Sequence, residues 1–166
     1  TGRCVRDSLR ARGFTNVLIN ISGDVVAGGR RPDGKPWRIG IQHPRVRGEL
    51  LGSIELAHGA IATSGDYERF FERAGRRYSH ILDPRTGRSP SHVRSVTLVA
   101  PDGLTAEALG KAVFVLGADR GLRLVEQQPD CDAVVIDADG RLHCTQGFES
   151  LQSQPTPGAI DARARA

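Results

Sequence analysis

Two short stretches hold most of the side chains able to do chemistry. The first, Thr63-Ser64-Gly65-Asp66-Tyr67, closes a small apolar run, Ala60-Ile61-Ala62, with two hydroxyls, a glycine and a carboxylate. That pattern ends a strand, and Thr-Ser-Gly-Asp is predicted to cap a following helix whose N-terminus suits an anion. The second, His80-Ile81-Leu82-Asp83-Pro84-Arg85-Thr86-Gly87, sets an imidazole three residues before a carboxylate. Its Pro-Arg-Thr-Gly turn then brings a guanidinium and a hydroxyl into the same loop. Such groups suit a phosphate ester. Taken singly, the first motif is more often a helix cap, the second a turn, and a lone His at a strand end a structural residue. Their occurrence together, in this order, is what points to a site.

The elements that must position these stretches follow from pattern. Residues 5–12 read as an amphipathic helix stopped by Gly13. Residues 17–26 read as a buried strand interrupted by Asn20, with a bulge or turn at Ser22-Gly23-Asp24. Asp33-Gly34 predicts a hairpin before the alternating strand Trp37–Gln42. Two short strands are expected at 50–56 and 60–62, separated by His58-Gly59. Residues 66–74 are predicted as a helix with Tyr67, Phe70 and Phe71 in the core and Glu68, Arg69, Glu72 and Arg73 in water. Strands at 77–82 and 93–99 bracket the Asp83 loop. Residues 105–116 form a helix by their Thr cap, acidic first turn and Gly117 stop. A short helix at 120–127 and a hairpin of 133–136 with 141–145 follow, residue 144 facing 135. The expected fold class is α/β (α+β), a mixed, mainly antiparallel sheet with packed helices. The expected organisation is one domain over 1–148 and a flexible tail over 149–166, too poor in apolar residues to bury.

A chain of 166 residues can bury a substantial core. It contains no Met, so a processed or truncated polypeptide is expected. The net charge is +4, but the arginines are scattered and only eight aromatic residues are available to stack bases, which disfavours nucleic acid as a partner. No apolar run approaches the length of a membrane span, and no signal-type segment is present. Cys4, Cys131 and Cys144 have neither the spacing of a zinc site nor that of a redox pair, and are expected to pack.

Together the two motifs resemble the signature of the ApbE family of FAD:protein FMN transferases: Thr-Ser-Gly-Asp-Tyr, a short helix, then His-x-x-Asp-Pro-x-Thr-Gly. Asn16 to Asp24 resembles the family's strand ending in Gly-Gly-Asp, with Ser22 a small departure. Lys35 to Ile41 with Pro44, Val96 to Ala100, and Val113 to Gly117 extend the resemblance over about residues 1–140. The resemblance implies binding of FAD with Mg²⁺, cleavage of its pyrophosphate, and attachment of FMN to a Thr or Ser hydroxyl of an acceptor protein. It implies that Thr63, Ser64, Gly65, His80 and the loop Asp83 to Gly87 line the pyrophosphate cleft. His80 and Asp83 would then be catalytic, Ser64 and Arg85 would donate to phosphate, Thr86 and Gly87 would complete the loop, and Leu82 would lie beside the flavin. A periplasmic or membrane-anchored location is implied by family analogy alone.

Four further positions depart from the family pattern. Its metal-binding helix begins Ala-Asp-Ala-x-x-Thr, whereas this chain has Ala106-Glu107-Ala108-Leu109-Gly110-Lys111. Glu107 is then a displaced metal ligand, and Lys111, while protonated, cannot ligate at all. Two alternatives stand: the ammonium takes the ion's place beside a phosphate, or Glu107 and Lys111 form an exposed i,i+4 pair. At the start of the chain, Thr1 stands where the family has a flavin-contacting Lys, and Arg6 where it has an Asp. These charge changes favour a second reading, a weak or inactive family member that binds flavin or a nucleotide, or pairs with a partner subunit. Upstream elements that hold the isoalloxazine and adenine are expected to lie outside this sequence.

Overall fold

The computed structural model describes residues 2–151. Its centre is a six-stranded sheet in which every neighbouring pair is antiparallel. In chain order the sheet takes β1 (Val17–Ile21), β2 (Asp24–Gly28), β5 (Gly59–Gly65), β8 (Val93–Ala100), β9 (Asp132–Asp137) and β10 (Leu142–Cys144), and these lie side by side in that same order. Helices packed on an antiparallel sheet are the expected class. Two hairpins stand apart from it, β3 (Trp37–Gln42) with β4 (Leu50–Leu56), and β6 (Phe70–Arg73) with β7 (Arg76–Ser79).

Alternation along β5 assigns the two faces of the sheet. Ala60 and Ala62 join Leu98, Val135 and the helix residues Ala106, Val113 and Phe114 in one core. Ile61 joins Val99, Val134, Ile41, Ile54 and Phe148 in another. One face thus carries α2 (Gly103–Leu116) and α3 (Ala118–Glu126), while the other carries the β3–β4 hairpin and α4 (Phe148–Leu151). Small side chains on β5 let α2 come close. Helix α2 buries Ala106, Gly110, Val113 and Phe114, the spacing of a single helical face.

Several sequence expectations need correction. Residues 66–74 are not helical: Ala74 and Gly75 both have positive φ and turn the chain into the β6–β7 hairpin, because a two-residue left-handed turn matches strand twist. Phe70 and Phe71 are exposed rather than in the core, Phe71 stacking on its cross-strand partner Tyr78 and Arg77 lying over Phe70. Residues 17–26 are two strands, since Ser22 and Gly23 form another left-handed turn whose Gly23 N–H donates to Asn20 Oδ1 at 3.0 Å. Asp33-Gly34 does turn the chain, but it links β2 to β3, which lie in different sheets and do not pair.

The cap of α2 is Asp102, whose carboxylate accepts from the N–H groups of Leu104 and Thr105; Thr105 Oγ1 donates to it as well. That makes Thr105 an accessory to the cap. Cys144 faces Val134, one residue from the expected register, and the three cysteines are free. Helix α1 (Gly2–Ala11) lies where expected and contacts β1 and β2. Of the expected tail, residues 149–151 continue α4, and the remainder falls outside the described residues. No helix among the described residues is long and apolar enough to cross a membrane.

Candidate functional site

Strand β5 ends in the floor of a cleft of about 870 Å³. The β1–β2 turn forms one wall with Asn20, Ser22, Gly23 and Asp24, and β3 forms another with Arg38 and Gln42. Tyr67, Glu68, Arg69 and His80 close the third side, and Glu107 and Lys111 enter from α2. Thr63, Ser64, Gly65, His80 and Glu107, singled out from the sequence, therefore share one cleft. Its carboxylates Asp24, Glu68 and Glu107 are matched by the cations Arg38, Arg69 and Lys111.

The β5 end is locked by contacts on both faces. Thr63 and Thr97 face each other across β5 and β8 with hydroxyls 3.0 Å apart, which ties the Thr63 hydroxyl to the sheet. Ser64 is buried on the α2 side, where Lys111 Nζ donates to its Oγ at 3.0 Å. A side chain at Gly65 would run into the Tyr67 ring, so only glycine lets the tyrosine fold back over the strand end. Burial pushes the Tyr67 hydroxyl up to about 12, leaving it a neutral donor at ordinary pH. Asp66 caps no helix. Its carboxylate instead accepts from Arg45 in a fork at 2.6 and 2.7 Å, fixing the strand end against the β3–β4 loop.

The second motif divides. Buried Ile81 anchors it, and the Ser79 and Ser89 hydroxyls, 2.9 Å apart, close its base. His80 is exposed to the cleft; its backbone N–H donates to Arg69 O at 3.0 Å, and Nδ1 lies 3.3 Å from the same oxygen. With the proton on Nδ1 that oxygen accepts it, leaving Nε2 as the basic nitrogen. Leu82 and Arg85 line a separate apolar hollow of about 600 Å³, which shares His80 and Lys111 with the main cleft. Asp83, Thr86 and Gly87 line neither space.

Asp83 instead holds its own turn together. It accepts from Arg85 through the backbone N–H, Nε and Nη2, all within 2.9 Å, and its carbonyl accepts from Gly87 N–H. The Arg85 hydrogen bonds hold its carboxyl down at about 2, against an ordinary 3.8. A depressed carboxylate stabilises the fold above its unfolded value and loses that contribution as pH falls through its folded value. Asp83→Asn is therefore expected to melt below the wild type near neutral pH, the gap closing as pH falls from about 4 to about 2. Thermal melts across that range check this.

Lys111 binds two partners, Glu107 Oε1 at 2.7 Å and Ser64 Oγ at 3.0 Å. The i,i+4 ion pair forms, and both of its residues line the cleft rather than lying on an outer face. Asp24 faces the same group: burial raises its carboxyl, the Glu107 charge raises it further and the Lys111 ammonium pulls it back. These residues do not fit Mg²⁺. The ion needs a carboxylate oxygen at about 2.1 Å and near-octahedral space, whereas an ammonium occupies that side of Glu107. Among the described residues no group of three His, Cys, Asp or Glu side chains is placed to hold a metal.

The ApbE family model matches residues 3–135. The chain belongs to the ApbE family. The FAD:protein FMN transferase of Vibrio cholerae is 42% identical over 154 residues, covering 90% of this chain and 46% of that protein. That of Haemophilus influenzae is 37% identical, covering 74% of this chain and 36% of that protein. The chain therefore spans less than half the length of these curated relatives. Among solved structures, the ApbE protein of Thermotoga maritima superposes with a TM-score of 0.84 at 33% identity, covering 92% of this chain and 50% of that one. The flavin transferase ApbE of V. cholerae does so with 0.77 at 34% identity, covering 90% and 48%. Within this ApbE chain, sequence reasoning did not single out Arg38, Gln42, Tyr67 or Arg69 as site residues. The first two were legible only as outward positions of an alternating strand, and the last two were assigned to a helix that does not form.

Proposed function

We propose that the chain carries the pyrophosphate-handling part of an FAD:protein FMN transferase. The observation that carries this reading is that the His80 imidazole and the Ser64 hydroxyl open on one cleft at the end of β5 in a member of the ApbE family. In the proposed reaction a Thr or Ser hydroxyl of an acceptor protein attacks the flavin-side phosphorus of FAD. The P–O bond to the adenylate breaks, AMP leaves, and the hydroxyl proton passes to His80 Nε2. Ser64, Tyr67 and Arg69 line the same cleft as polar groups available to the phosphates. Leu82 and Arg85, across His80, offer an apolar hollow for an aromatic ring. Asp83 supports the step by holding the turn that carries Arg85. With Glu107 tied to Lys111, the ammonium rather than a divalent ion faces the phosphates in this reaction.

Incubating the full chain with FAD and a Thr- or Ser-containing acceptor peptide is expected to release AMP and leave flavin covalently on the peptide. A second reading, binding of flavin or a nucleotide without transfer, is favoured by the engagement of both Glu107 and Ser64 by Lys111. Flavin retained without AMP release would establish the second reading over the first.

A further inference from the structure

We infer that Lys111 is the built-in cation of the cleft, its ammonium standing beside Glu107 and Ser64 in place of a divalent ion, so that a diphosphate binds here without Mg²⁺. The proposal rests on the flavin transferase reading only for the identity of the diphosphate.

The placement follows from the helix. Residues 107 and 111 are one turn apart on α2, so both side chains reach the same spot above β5. Gly110 is buried on α2 next to Lys111, and a Cβ there would stand in ordinary contact, 3.5 Å, with Ser64 Oγ. That packing of α2 on β5 lets a four-carbon stem set its nitrogen on the strand end. An ammonium has three donors. Glu107 and Ser64 take two, which leaves one directed by tetrahedral geometry away from both, for a phosphate oxygen.

The charge inventory agrees. A divalent ion at Glu107 would meet a positive charge already 2.7 Å from the same oxygen, and like charges at such distances repel strongly in a partly buried site. With Lys111 in place, Asp24 and Glu107 flank a cation without needing another. Arg38 and Arg69 lie on the facing walls, where they supplement the single charge of Lys111 toward a multiply charged ligand. A compact ammonium also binds phosphate as a point charge, with no demand on ligand geometry.

The test needs neither flavin nor turnover. Titration of the full chain with Mn²⁺, followed by electron paramagnetic resonance, is expected to leave the ion free up to about 1 mM, since one tethered cation repels another. Inorganic pyrophosphate is expected to bind in excess EDTA, and Lys111→Met to weaken that binding by roughly tenfold, the usual worth of one charge-assisted hydrogen bond. Glu107→Gln, which frees the ammonium, is expected to keep or tighten pyrophosphate binding and guards against a misfolded Lys111→Met. Saturable Mn²⁺ binding by the wild type in that range overturns the inference. So does pyrophosphate binding that requires the metal or ignores the loss of Lys111. Absence of FMN transfer in the AMP assay would sink the transferase reading and leave these outcomes unchanged.

Discussion

Replacing His80 with alanine is expected to slow the proposed FMN transfer by roughly a hundredfold to ten-thousandfold, the range over which a positioned general base acts. The imidazole lines the main cleft, and with the Nδ1 proton donated to the Arg69 carbonyl its Nε2 is the nitrogen left to accept a proton. Binding of FAD should change far less than turnover, because the side chain is exposed and holds no core contact. Stability should stay within about 0.5 kcal/mol, as for other exposed substitutions, since the backbone N–H of residue 80 keeps its bond to Arg69 O in the variant. Single-turnover AMP release measured beside a thermal melt separates the two roles. A melt several degrees lower with an unchanged rate would make His80 a latch between the loop and the β6–β7 hairpin, and would remove it from the chemistry.

How far the sequence revealed this site depended on which interactions are local. The strand at 60–62 and the Asp83 turn were legible because each is set by residues within a few positions, although the strand runs on through Gly65, where a helix cap was expected. The helix expected at 66–74 failed for a tertiary reason. Tyr67, Phe70 and Phe71 suit a helical face, but Asp66 is held by Arg45, twenty-one residues away, and Ala74-Gly75 closes a hairpin instead. The Ala-Gly step between Phe70–Arg73 and Arg76–Ser79 was the available signal, weakened because alanine rarely takes positive φ.

A similar limit applies to the chemistry. Glu107 and Lys111 were recognisable as a departure from the family's helix start, but an i,i+4 spacing cannot say whether a pair faces water or a cleft. Ser64, forty-seven residues from Lys111, decides that point. Asp83 shows the converse. Its motif suggested a catalytic carboxylate, yet three donors from Arg85 satisfy it inside the turn, and it lines neither hollow. A side chain can belong to a functional motif by shaping the loop that carries the others.

The largest loss of stability is expected from Phe114→Ala, at about 3–5 kcal/mol, because the ring is fully buried between α2 and the sheet and its removal leaves a cavity the rigid strands cannot fill. For a domain whose total stability is on the order of 5–15 kcal/mol, that is a large share. The consequence reaches the cleft through α2, which carries Glu107 and Lys111 on the turns preceding Phe114. Helix α2 is also gripped from outside: Gly121 of α3 lies so close that an added Cβ would come within 2.7 Å of Val113, which leaves the helix little room to relax toward the gap. Leu104 of the same helix is 81% exposed, and Leu104→Ala should shift stability by less than about 0.5 kcal/mol. Urea denaturation of the two variants therefore tests the packing of α2 directly. Equal midpoints would mean that β5 and α2 are not held together by this core, and that the Lys111 to Ser64 contact must be maintained by something else.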